Sequence, residues 1–255
     1  MDVRSIAASP EPRLTATATG ASTTGAPTTG APTAGAPAVR SAARPHDAAL
    51  PDTGSIRVDL QLIADQVAAR SRVLDVGCGD GTLLDYLVHF KQVDGRGIEI
   101  SQAGVNACVR QGLSVIQGDA ETDLKDYPSD SFDYVILSQT LQATFDPKVV
   151  LGEVVRIGRK AIVSFPNFGV WHVRLALLTT GRMPVTDSLD SAWYETPNIH
   201  LCTISDFVEL CDDLGIVIEQ GMVLDRRGRA RHLRAPGFLA NLLGEQGLFT
   251  LSRRR

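Results

Sequence analysis

The chain has 255 residues and a formal net charge of −4, enough length for one large domain or two small ones. An acidic balance argues against a surface built for nucleic acid. No apolar run approaches the roughly 20 residues needed to cross a bilayer, and the first thirty residues lack the basic start and apolar core of a secretory signal.

Residues 1–53 are mostly Ala, Thr, Gly, Pro and Ser, with a five-residue repeat through Gly25-Ala26-Pro27, Gly30-Ala31-Pro32 and Gly35-Ala36-Pro37. Such a segment cannot bury enough apolar surface to offset the roughly 1–2 kcal/mol per residue that ordering a backbone costs. Composition therefore predicts a disordered tail over 1–53 and a single folded domain over 54–255. Arg4 and Arg13 among many Thr and Ala loosely suit an organelle transit peptide, but Asp2, Glu11 and the Gly-Ala-Pro repeats argue against one. Cys78, Cys108, Cys202 and Cys211 form no Cys-x-x-Cys pair and lie in apolar segments. They read as reduced structural thiols of a cytoplasmic protein, with no metal site among them.

Ile56, Leu60, Ile63 and Val67 recur at helical spacing and predict a helix over 56–69. A strand over 72–76 follows, then the run Gly77-Cys78-Gly79-Asp80-Gly81 and a helix with Leu83, Leu84, Leu87 and Val88 on one face. Strands are expected at 95–100, 113–117, 132–137 and 160–165, with helices at 102–111 and 147–156 between them. Such alternation predicts a doubly wound α/β domain with a mostly parallel sheet covered on both faces. Near the end Thr203 is placed to cap a helix bearing Phe207, Leu210, Cys211 and Leu214, with Gly215 as its stop. Strands at 216–224 and 247–251 complete seven. The roughly twenty residues between the last two carry no evident crossover helix, so the final strand is expected antiparallel, at the sheet edge.

The glycine run joins a buried strand to a helix start, the place where such sheets hold nucleotide-like ligands. A dinucleotide fingerprint requires Gly or Ala at the sixth position, where this chain has Thr82. Its Gly77-x-Gly79-x-Gly81 spacing, with Asp75 two residues earlier, resembles motif I of class I S-adenosylmethionine-dependent methyltransferases. Glu99 ends the second strand 22 residues after Gly77, where a carboxylate can accept both ribose hydroxyls. Asp119 and Ala120 follow the third strand, and in the methyltransferase pattern an acid there receives the adenine amino group. Asp75 would lie near the amino end of the cofactor and Ile100 would pack on adenine. Ser138 opens Ser138-Gln139-Thr140-Leu141-Gln142, the stretch where the methyl group should face a substrate.

That stretch carries neither the Asn/Asp-Pro-Pro-aromatic run of base-amino methyltransferases nor an acid, His or Lys to act as general base. Pro166-Asn167-Phe168 reads as a strand terminator, and Trp171 and His172 as part of a packing helix. Trp193 to His200 reads as a lid, with Tyr194 and His200 as weak catalytic candidates. From Arg226 to Arg255 eight arginines stand against one acid, Glu245, either as a solvated segment or as a docking patch.

Ser138 to Gln142, Ile162 to Gly169 and Trp193 to Thr203 together resemble the MetW family of bacterial methionine-biosynthesis proteins, a likeness covering about 55–252. The resemblance implies a methyltransferase-like fold working beside a homoserine O-acyltransferase, and no defined methyl acceptor. Two readings stay open: an S-adenosylmethionine-binding partner of that acyltransferase, and a methyltransferase acting on a small metabolite.

Overall fold

The computed structural model describes residues 56–186, 189, 191–233 and 237–254; the expected tail over 1–53, with Arg234 and Arg255, lies outside them. In chain order the elements are α1 (Val58–Gln66), β1 (Arg72–Val76), α2 (Thr82–Lys91), β2 (Asp94–Glu99), α3 (Gln102–Arg110), β3 (Val115–Gln117), α4 (Ala120–Asp123) and β4 (Phe132–Ser138). They continue with α5 (Pro147–Ile157), β5 (Gly158–Pro166), α6 (Trp171–Thr180), α7 (Ile204–Asp213), β6 (Ile216–Leu224), β7 (Ala230–Leu233), α8 (Phe238–Leu243) and β8 (Gln246–Arg253). The strands form one sheet in the order β3-β2-β1-β4-β5-β8-β6-β7.

β1 pairs parallel with β2 and β4, as do β2 with β3 and β4 with β5, giving the expected doubly wound half with its order reversing beside β1. Two details differ from the sequence reading. The final strand β8 is antiparallel, as predicted, but it lies between β5 and β6 and not at an edge. The supposed loop before it holds the short strand β7, antiparallel to β6, so the sheet has eight strands among the described residues, with β3 and β7 at its two edges. An inserted β8 buries Phe249 and Leu251 between two strands, which an edge position would leave half solvated.

Side chains alternate across β4 as a two-sided sheet requires. Val135 and Leu137 join the core under α5 and α7, and Ile136 joins the core under α1 and α2. On the first face Phe165, Phe207 and Phe249 form an aromatic cluster with centroids 4.7–5.9 Å apart. Local sequence sets the helix starts. Asp146 accepts from Val149 N ahead of Pro147, and Thr203 and Asp206 form a reciprocal capping box on α7. No helix among the described residues is long and apolar enough to cross a membrane.

Candidate functional site

The carboxyl ends of β1, β2 and β4 converge on the glycine turn. Gly77, Gly79 and Gly81 all take left-handed backbone angles, with φ of +73°, +57° and +84°. A Cβ on Gly77 would stand 2.6 Å from the Thr140 side chain, whose Oγ1 is fixed by donating to Val76 O at 3.0 Å. The turn is drawn toward β2 because Gly77 N and Cys78 N both donate to Ile98 O. Gly104 on α3 contributes as well: a Cβ there would meet Gly79 O at 2.7 Å and Glu99 Cγ at 2.8 Å.

Glu99 is buried, and its two oxygens accept from Gly79 N at 2.9 Å and Ser101 N at 2.8 Å. Each oxygen keeps lone-pair capacity for a further donor, so the carboxylate can hold the turn and a diol together. Asp119 caps α4 by accepting from Glu121 N at Oδ1, leaving Oδ2 as an acceptor. Asp119, Ala120, Ile98, Ile100, Phe145 and Gly77 line a cavity of about 130 Å3 in which Ile100 is 68% exposed, an uncovered apolar platform for a flat ring.

Gly77 also borders a second cavity of about 170 Å3, lined by Asp75, Gly79, Ser138, Gln139 and Arg57 among others. Asp75 is 2% exposed and its Oδ1 has no hydrogen-bond partner. Burial, then the charge of Glu99, pushes its carboxyl up to about 7. An orphaned buried carboxylate of this kind fits a ligand cation. Ring platform, diol acceptor and ammonium acceptor thus follow one another along the sheet edge, an order that matches S-adenosylmethionine.

A third cavity, about 520 Å3, shares Arg57 and Gln139 with the second and extends past Pro166, Pro197 and Asn198 to Asp225, Glu245 and Gln246. Asp59, buried at its wall, accepts from Arg57 Nε at 3.0 Å, Gln139 Nε2 at 3.2 Å and Gln246 Nε2 at 3.4 Å. Burial pushes the Asp59 carboxyl up, but the hydrogen bonds and charge of Arg57 outweigh it and leave the group below its ordinary value. Glu245 stands 3.4 Å from His172 Nδ1.

The segment from Trp193 to His200 is tied down by Gln142 O, which accepts from Ile199 N and His200 N. Pro197 and Asn198 border the third cavity. Tyr194 does not: it is 70% exposed and packs edge-on against Trp193, while His200 Nε2 reaches Phe145 O at 3.1 Å. The structure therefore gathers Asp75, Gly77, Gly79, Ile100, Asp119, Ala120 and Ser138 along two cavities that meet at Gly77 and form one trough. Glu99 stands behind it, bonded to Gly79 N, and Gly81 lines neither cavity, since a Cβ there would face Cys108 and Leu113. Tyr194 stays outside the trough, and His200 meets it only through the Phe145 carbonyl.

Sequence reasoning missed Arg57, Asp59, Glu245 and Gln246. Asp59 did carry a signal, for it stands four residues before the buried Ile63 on the apolar stripe of α1. An acid in that position is seldom buried without partners.

A model of the family described as "Methionine biosynthesis protein MetW" matches residues 57–251. A bifunctional methionine biosynthesis protein MetXA/MetW from Rhodopirellula baltica is 36% identical over 186 residues, 69% of this chain and 30% of that one. The chain thus spans under a third of that relative's length. Among solved structures, an S-adenosylmethionine-dependent methyltransferase from Thermotoga maritima matches with a TM-score of 0.57 at 15% identity, over 77% of this chain and 88% of that one. The [4+2]-cyclase SpnF matches with a TM-score of 0.55 at 18% identity, over 76% and 80%. Likeness at this level gives the fold, and a cyclase among the neighbours means that the fold does not fix the reaction.

Proposed function

The chain belongs to the MetW family of methionine-biosynthesis proteins, and on that premise we propose that it binds S-adenosylmethionine and acts with, or regulates, a homoserine O-acyltransferase. The observation that carries the ligand is the Asp75 carboxylate, which borders the cavity beside the glycine turn and keeps a buried oxygen without a partner. In this reading Asp75 takes the ligand's ammonium directly or through water, Glu99 the ribose diol, and Asp119 the adenine amino group. Ile100 and Ala120 pack on the ring, and Ser138 lies near the sulfonium. Bound S-adenosylmethionine supplies an activated methyl group, or reports the level of the pathway's product.

The partner is supported by the relative whose single chain is named for both MetXA and MetW. This chain matches 30% of it, so there a MetW part shares a polypeptide with a larger remainder. The alternative, methyl transfer to a small metabolite, is favoured by the 520 Å3 cavity adjoining the trough. Against it, Asp59 is a weak base because Arg57 holds its proton affinity low.

Calorimetry tests the ligand. Micromolar binding is expected, with Glu99→Ala losing roughly 1.5–3 kcal/mol, the usual worth of hydrogen bonds to a charged group. Unchanged affinity in Glu99→Ala, or no binding by the unaltered protein, removes the argument. Mixing with the purified acyltransferase tests the partner. No complex at micromolar concentration and no change in acyl transfer, beside steady methylation of a metabolite, would favour the enzyme instead.

A further inference from the structure

The third cavity is built around Asp59, and its chemistry is more specific than its size. A carboxylate has no proton to donate at its low pKa, so groups facing it must turn their N–H ends inward. Gln139 and Gln246 both do so, each placing Nε2 on Asp59 Oδ2. Their carbonyl oxygens are thereby turned away from Asp59, and both residues line the cavity. Arg57 gives Nε and one Nη to Asp59, which leaves the other Nη of its guanidinium as a donor in the wall that the two cavities share. Glu245 and Arg226 also border the cavity, each engaged in contacts of its own.

From this arrangement we propose a second ligand site that takes a small zwitterion, an L-α-amino acid, beside the methyl end of the S-adenosylmethionine trough. The amino acid's ammonium is received by the Gln139 and Gln246 carbonyls, and its carboxylate by the remaining Nη of Arg57. Asp59 is the positioning residue: it touches no ligand and fixes which end of each glutamine faces one. Leu224, Val58 and Pro166 give the side chain an apolar wall. The site rests on the cofactor reading, because Arg57 and Gln139 join the two cavities.

The test uses the full-length protein saturated with S-adenosyl-L-homocysteine, so that no methyl group can be consumed. The twenty protein L-amino acids and L-homoserine are titrated one by one by calorimetry, and each binder is compared with its deamino and decarboxy analogues. At least one amino acid is expected to bind, with either analogue weaker by about tenfold or more, as loss of a charge-assisted contact implies. Gln246→Leu should weaken the amino acid by a similar factor. Asp59→Asn should shrink the preference for the amino acid over its deamino analogue, because an amide lets the glutamines turn. A general structural defect would weaken both ligands alike, so Asp59→Asn that leaves the preference intact rejects the positioning role. If S-adenosylhomocysteine binds but no amino acid does, or if analogues lacking one charge bind equally well, the second site is overturned and the cofactor reading stands. If S-adenosylhomocysteine itself does not bind, both fall.

Discussion

At the scale of single residues, Asp75 links binding to pH. Burial raises its carboxyl from an ordinary 3.8 to about 7 in the folded chain. Between those values the folded state holds a proton that the unfolded state has released. Stability from this group therefore falls as pH rises through the window and levels off above it. Asp75→Asn should accordingly raise the melting temperature at pH 8, the reverse of the usual effect of removing a charged group, while abolishing S-adenosylmethionine binding. In the unaltered protein, affinity should climb by up to about tenfold per unit as pH rises toward 7. It should fall again above about 8, where the ligand's own α-amino group loses its proton. Calorimetry in two buffers of different ionisation enthalpy should find close to one proton released on binding at pH 6. A flat affinity profile from pH 5.5 to 7.5 would mean that Asp75 does not meet the ammonium. Asp75, Glu99 and Asp119 were legible in the sequence because each sits at a strand end beside a turn, where local chemistry declares itself. The cluster on Asp59 was not, since its contact with Gln246 spans 187 positions.

At the scale of elements, Asn167 does more than end β5. It is 1% exposed and uses both ends of its amide. Nδ2 donates to Asn241 O at 2.8 Å and Gly244 O at 2.7 Å, and Oδ1 accepts from Gly169 N and Ile204 N. One side chain thereby fastens the end of β5 to α8 and to the start of α7. Asn167→Ala orphans three buried backbone groups, since Ile204 N keeps its bond to Asn241 Oδ1, and should lower stability by roughly 2–4 kcal/mol, read as a lower denaturation midpoint with an unchanged denaturant slope. A loss under about 0.5 kcal/mol would show that water replaces those bonds. This role was illegible because an asparagine after a proline looks like any turn residue, and its partners lie 74 and 77 positions away. The ends of the parallel strands were legible to within about two residues, since hydrophobic runs and turns bracket them. β7 and α8 were not. Ala230–Leu233 is a four-residue strand carrying Arg231 and His232, and Phe238–Leu243 is a six-residue helix without a side-chain cap, too short for either period to register.

At the scale of the whole molecule, the first strand of the sheet begins at Arg72 and the last ends at Arg253, while the family match starts at 57. The described core is assembled from residues between Leu60 and Leu251, and the sequence of residues 1–53 offers few large apolar side chains to add to it. Deleting residues 1–53 should therefore leave the melting temperature within about a degree and S-adenosylmethionine affinity unchanged. A second truncation sharpens the point. Removing residues through 60 takes away Arg57 and Asp59, and with Leu60 it takes a buried side chain of α1 that packs with the α2 face of the sheet. That cut should lower the melting temperature by several degrees, through lost burial of roughly 1.5–3 kcal/mol for Leu60 and exposure of the remaining α1 stripe. It should also abolish the proposed amino-acid site. Scanning calorimetry of the two truncations beside the full chain separates a dispensable tail from a required helix within seven residues of sequence. A clear fall in melting temperature for the 1–53 deletion would show that the tail packs on the domain, and that composition alone is a poor guide to where this fold begins.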